Sequence, residues 1–268
     1  MRIRLVFWYM FWCLRIGARP WRYFQLNAPW FSSSKRLFSK LEMDSSIPGK
    51  WRLHQEKLTA DSKPESWPVF LKPEWGQNAR GILVANDQGC FDKLRNNMLN
   101  GDIPYLFQDA APGRREFEVF YIRRKASGSE PAALSVTETL NSSGQDWPVN
   151  SILNPSTRHR TVTGLTQEAQ QQLWQYMNEL PAFRIARVGL RADSFEAVLE
   201  GQFRIIEINL FVPMPLCLLD TNIPSQVHHR FIRSAMRDLA LLTKSIPLKQ
   251  PRKNIFWPML FLNSRMRA

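Results

Sequence analysis

The sequence predicts an α+β fold, and three observations predict it. Short apolar runs at residues 67–73, 104–113 and 115–124 read as strands, the last alternating Phe117, Val119 and Tyr121 against Glu116, Glu118 and Phe120. A stretch beginning at Thr166, a candidate N-cap, repeats Ala169, Leu173, Met177 and Leu180 at helical spacing. Residues 186–210 read as a hairpin, and a further helix is expected over about 224–243.

The remaining elements follow in chain order. Residues 1–33 predict a helix and then an extended segment, and SSKRLFSKLEMDSSIP a short helix that ends before Ile47-Pro48. A loop is expected to about Pro68. WPVFLKP is then a tight apolar strand with a lysine at its end, WGQNARGILVAN a polar loop returning to a strand, and CFDKLRNNML an amphipathic helix. Residues 125–163, rich in Ser, Asn, Pro and Gly, predict mostly loop.

A chain of 268 residues with 44% hydrophobic and 22% charged side chains has ample material for a core and is neither disordered nor fibrous in composition. Its net charge of +13 suggests nucleic acid until the charges are located. Residues 1–41 hold eight basic side chains and no acid, and the stretch after Asp238 holds six and no acid. That leaves 22 basic residues against 23 acidic ones in a nearly neutral body, which argues against nucleic acid as the main partner.

Cys13, Cys90 and Cys217 have no spacing for zinc or a disulfide framework, which fits a reducing cytoplasm. The start, MRIRLVFWYMFWCLR, pairs two leading arginines with an apolar run of ten residues, like a secretory leader. It lacks a small-residue cleavage end, and a bilayer needs about 20 apolar residues. The expectation is a cytoplasmic protein, with at most a peripheral contact to the inner face of the membrane.

The hairpin carries the most chemistry. In RVGLRADSFEAVLEGQFRIIEIN, period two puts Arg191 and Asp193 on one face of the first strand and Glu207 and Asn209 on one face of the second. Ile206 and Ile208 then point into the core. A three-residue loop Leu199-Glu200-Gly201, with glycine left-handed, sets Asp193 opposite Glu207. Carboxylates gathered with an amide oxygen suit magnesium held against phosphate; a solvated sheet face is the bland alternative.

Lys72 leaves its strand where a loop with Gly76 and Gly81 begins, and glycines and a lysine together suit a phosphate chain as well as an ordinary strand turn. In FQDAAPGRREFEVF a polar strand end is followed by Glu116, which provides acceptors of the kind adenine and ribose need. The four histidines are scattered and carry no assigned role, and no serine or cysteine has a partner at nucleophile spacing.

In their order along residues 34–215, VFLKPEWGQNARGI, REFEVF and LRADSFEAVLEGQFRIIEIN resemble the ATP-grasp superfamily, in particular D-alanine:D-alanine ligases and related carboxylate-amine ligases. The resemblance implies two α+β lobes with ATP between antiparallel sheets. It gives Lys40 and Lys72 to the phosphates, Gln108, Asp109 and Ala111 to the adenine hinge, and Glu116 to the ribose. It gives Asp193, Glu207 and Asn209 to Mg2+, and Arg191 to the charge on a tetrahedral intermediate. The implied reaction joins a carboxylate, activated as an acyl phosphate, to an amine or similar nucleophile.

Three features depart from the family pattern. GQNARG is poor in glycine, Gln108-Asp109 stands where glutamate is usual, and the N-terminal α/β domain that normally precedes the grasp is replaced by about 33 aromatic and basic residues. The expected division is an N-terminal segment 1–33, a grasp domain 34–245 and a basic aromatic tail 246–268. A second reading makes the grasp a non-catalytic scaffold whose basic ends bind an anionic membrane or nucleic acid. A third simply lets those ends cover the lobes.

Overall fold

The structure is a computed structural model that describes residues 1–76, 78–124 and 130–265. Gln77 of the candidate phosphate loop, residues 125–129 of the expected loop, and the end of the tail fall outside them. Helices are α1 (Arg2–Ile16), α2 (Lys40–Asp44), α3 (Gln88–Leu99), α4 (Gln167–Glu179), α5 (Phe195–Leu199), α6 (Ser225–Lys244) and α7 (Phe256–Arg265). Strands are β1 (Gln55–Lys57), β2 (Val69–Pro73), β3 (Leu83–Ala85), β4 (Tyr105–Asp109), β5 (Arg115–Arg123), β6 (Pro131–Asn141), β7 (Thr157–Thr161), β8 (Ile185–Ala192) and β9 (Arg204–Asn209).

They form two antiparallel sheets, one in the order β1-β4-β2-β3 and one in the order β7-β6-β5-β8-β9. β4 and β5, adjacent in sequence, belong to different sheets, so residues 110–114 carry the chain from one lobe to the other. Asp87 caps α3 through Cys90 N–H, and the helix lays Phe91 against Val69, Leu71 and Phe107 of the small sheet.

In the large sheet the alternation of β5 sorts the environment of each face. Phe117, Val119 and Tyr121 pack with Leu173, Trp174 and Met177 of α4, whose N-cap is Thr166 as its sequence predicts. On the opposite face Phe120 and Ile122 meet Ile232, Met236 and Leu239 of α6, together with Tyr9 and Cys13 of α1. Both ends of the chain thus contribute to cores, since Ile255 and Met259 are buried with the α4 cluster.

Three expectations are corrected. After α1 the chain runs not extended but through 3-10 turns at Pro20–Gln25 and Ala28–Trp30, each with proline in its first turn, where a fixed φ suits a helical start. The segment before Pro68 contains β1, a polar edge strand with no pattern of its own. Residues 125–163 include β6 and β7; a Ser/Thr-rich strand looks like loop by composition, and cross-strand pairing overrides that.

Trp51 fastens the turn before β1 to the large lobe. It is 1% exposed, stacks on Phe203 at 4.7 Å, and donates its indole N–H to Gly201 O at 3.0 Å. Its own carbonyl accepts Ile205 N–H at 2.9 Å. Trp51→Phe loses the indole bond and one ring, and should cost about 1–2 kcal/mol, read as a lower midpoint in urea.

Candidate functional site

The register of the large sheet places its polar residues in rows on the face that looks toward the small sheet. His159, Thr139, Glu116 and Arg191 form one row across β7, β6, β5 and β8. Thr161, Thr137, Glu118, Gly189 and Glu207 form the next, and Arg187 pairs with Asn209 beside it. The small sheet supplies Lys72 from β2 and Gln108 from β4. His159, Thr139, Glu116, Arg191, Glu118, Arg187 and Glu207 line a cavity between the sheets with Lys72 and Gln108, and Asp109 and Ala111 stand at its hinge.

Lys72 is 9% exposed and donates to Gln108 Oε1 at 2.5 Å and to Ile206 O at 3.4 Å. Burial, followed by the charge of Lys40, pushes its pKa down to about 8, against the pull of Glu207, Glu116 and Asp44. Lys40 begins α2 behind its cap Ser39, donates to Pro73 O at 3.0 Å, and lines an adjoining pocket shared with Lys72, Gln108 and Glu207. Burial lowers its pKa as well, with Glu207 opposing. Two lysines desolvated side by side, each short of a carboxylate partner, form a place for an anion.

Gly189 leaves a gap in the middle of the sheet, where a Cβ would come within 3.1 Å of Glu207 Cγ. Around that gap sits an acidic pair bridged by one guanidinium: Arg187 Nε lies 3.2 Å from Glu118 Oε2, and Arg187 Nη2 lies 3.6 Å from Glu207 Oε1. Among the described residues neither Arg187 Nε nor Glu118 Oε2 has a hydrogen bond. Burial raises the Glu118 pKa despite Arg187. Burial pushes Glu207 the same way, but Arg187, Lys40 and Lys72 outweigh it and hold Glu207 below the usual carboxylate range.

Glu116 accepts from Asn150 Nδ2 at 2.8 Å, and burial raises its pKa. Arg191 is 8% exposed, donates from Nε to Gly113 O at 2.9 Å, and rests its guanidinium 4.7 Å from the Trp147 ring centroid. Ser151 donates to Asn78 O at 2.6 Å. The segment 147–152 thereby closes over the cavity from the large sheet to the loop after β2.

The structure brings together Lys40, Lys72, Gln108, Asp109, Ala111, Glu116, Arg191 and Glu207, with Asn209 donating to Glu207 Oε1 at 2.8 Å. Asp193 is not with them. The expected register set Asp193 opposite Glu207, but Gly189 holds that place, and Asp193 lies exposed beyond the end of β8 and lines neither pocket.

The cause is the β8–β9 connection. It is not a three-residue turn but α5, capped by Ser194, which uses up residues that a tight hairpin would pair. Gly201 is left-handed as expected, at φ 79, yet it follows the C-cap of that helix. A bulge between Gly189 and Leu190 shifts the parity again, so Ile205 and Ile208 are buried and Ile206 lines the cavity. Missed residues are Glu118, Arg187, Trp147, Asn150 and His159. The alternation of REFEVF and RVGLRA already set Glu118 with Glu116 and Arg187 with Arg191.

Among solved structures the chain is similar to D-alanine–D-alanine ligase from Bacillus anthracis, with a TM-score of 0.51 and 13% identity over 77% of this chain and 68% of that one. The same ligase complexed with ATP gives 0.52 and 12%, over 77% and 66%. The chain has an ATP-grasp fold. An L-amino acid ligase from Bacillus licheniformis is a looser likeness, at a TM-score of 0.46 and 16% identity over 78% of this chain and 48% of that one. No family model matches the sequence, and no curated protein does. The chain thus spans about two thirds of the D-alanine–D-alanine ligase structures and 48% of the L-amino acid ligase.

The fit of magnesium to the cavity rests on oxygen donors. Among the described residues no three His, Cys, Asp or Glu side chains cluster closely enough to hold a metal unaided. Magnesium usually takes one or two carboxylates and completes its shell with phosphate and water. Glu207 with Asn209, and Glu118 with an oxygen lacking a hydrogen bond, meet that demand.

Proposed function

We propose that this chain binds ATP with magnesium between its two sheets and uses it to activate a carboxylate as an acyl phosphate for an amine or similar nucleophile. The observation that carries the reading is the meeting, in the interlobe cavity and the pocket adjoining it, of two lysines with depressed pKa values and the Glu118–Arg187–Glu207 cluster. An ATP-complexed ligase of the same fold supports it.

Lys72 and Lys40 hold the phosphate oxygens, and the hinge residues Gln108, Asp109 and Ala111 face the adenine. Glu116, oriented by Asn150, accepts from the ribose hydroxyls. Bound magnesium neutralises phosphate charge. Glu207 and Asn209 hold it, with Glu118 taking the place expected of Asp193. Arg191, kept in position by Gly113 O and Trp147, faces the negative charge that grows on the reacting carboxyl.

The test is calorimetric titration with a nonhydrolysable ATP analogue, with and without magnesium. The wild type should bind more tightly with the metal, and Lys72→Met should weaken binding by about a hundredfold. No binding to the wild type sinks the reading. Because Lys72 loses its proton near pH 8 in the free protein, affinity should fall as pH rises through that value. Phosphate favours the charged lysine, so each pH unit above it costs up to about tenfold until the lysine of the complex itself titrates. Lys72→Arg should flatten this part of the profile, since arginine keeps its charge.

A further inference from the structure

The helix α1 is apolar on both sides. Leu5, Trp8, Tyr9, Trp12 and Cys13 belong to the cluster it shares with α6. On its other side Ile3 is 84% exposed, Val6 and Phe7 are each 61% exposed, Met10 is 42% and Leu14 is 78%. These five recur at intervals of three and four, so they form one continuous stripe along the helix. A helix apolar all round normally sits in a core or against an apolar phase, and a stripe of this kind marks an interaction surface.

The rim of the stripe indicates what covers it. Arg2, Arg4 and Arg15 of α1 are exposed, and the first 41 residues contain no acid. Beside them on α6, exposed Arg233 and Arg237 lie with their guanidinium carbons 5.4 and 5.9 Å from the rings of Trp8 and Trp12. A second copy of this chain would bring one arginine rim against another, and nucleic acid would satisfy the arginines while leaving the stripe in water. An anionic lipid surface meets both demands, because acyl chains take the stripe and headgroups take the guanidiniums. No helix among the described residues is long and apolar enough to cross a membrane, so the contact is interfacial.

We infer that α1 docks this protein on membranes containing anionic phospholipid, lying in the interface with Ile3, Val6, Phe7, Met10 and Leu14 toward the acyl chains. The surface is separate from the interlobe cavity and does not depend on the ligase reading.

The test is co-sedimentation of the full chain with phosphatidylcholine vesicles, with and without phosphatidylserine. The protein should pellet with the phosphatidylserine vesicles, remain in solution with phosphatidylcholine alone, and be released by rising salt. Val6→Glu combined with Phe7→Glu should abolish pelleting. Arg2→Ala, Arg4→Ala and Arg15→Ala together should weaken it about a hundredfold. Both variants change exposed side chains, so the melting temperature and ATP-analogue titration should stay as in the wild type.

The inference is overturned if the wild type fails to pellet with phosphatidylserine vesicles, or if the Val6→Glu, Phe7→Glu variant still does. It is also overturned if sedimentation velocity finds a self-associated species that this variant dissociates. Vesicle binding without nucleotide binding would remove the ligase reading and leave the membrane contact standing.

Discussion

Glu207→Gln should lower magnesium-dependent ATP turnover by about a thousandfold while leaving the fold intact. The substitution keeps the shape of the side chain and removes only its charge. That charge is present across the neutral range, because Arg187, Lys40 and Lys72 hold the carboxyl below its usual pKa against the opposing effect of burial. In the variant Arg187 keeps Glu118, 3.2 Å from its Nε, while Lys40 and Lys72 lose the opposing charge of Glu207 and their pKa values should fall further, so the melting temperature should drop modestly without loss of the fold.

The decisive measurement is phosphate release from magnesium ATP with a mixture of carboxylic acids and amines, beside calorimetric titration without metal. Metal-free affinity should hold or rise slightly, because a negative charge has left the phosphate site. Turnover at the wild-type level in Glu207→Gln would remove Glu207 from the metal set.

Gly113→Ala should have the largest effect on stability. Gly113 lies in the segment that carries the chain from β4 to β5, at φ +99, in the region that favours glycine. A Cβ there would stand 2.6 Å from Ala192 C, 2.8 Å from its Cα and 2.9 Å from its O, all backbone atoms at the end of β8. A flexible side chain could swing aside, but a strand paired to β5 cannot do so without breaking its ladder.

The Gly113 carbonyl also holds Arg191, so a displaced hinge would release a cavity residue. The expected loss is about 3 kcal/mol or more, a fall of about 8 °C in melting temperature for a chain of this size. Gly144→Ala is the control: φ is +71 and nothing lies within 4 Å, so only the backbone conformation is penalised, by about 1 kcal/mol. Equal losses in the two variants would mean that the approach to Ala192 does not matter.

What the sequence determined by itself is local. The helical spacing after Thr166, the lysine at the end of β2 and the alternation of β5 are each encoded within a dozen residues, and each is found where it was expected, while α3 starts two residues earlier than its apolar pattern, behind Asp87. The α+β class and the ATP-grasp fold follow from the order of such pieces.

What only the tertiary structure decided is pairing. Whether Asp193 or Gly189 faces Glu207 depends on α5 in the connection and on a one-residue bulge, and a shift of one residue moves a whole strand of side chains to the other face. β6 and β7 are strands because their Ser/Thr-rich backbones pair within the large sheet. Glu118, Arg187 and Glu207 meet because three strands converge on the space left by Gly189, an encounter between residues up to 89 positions apart that no local pattern specifies.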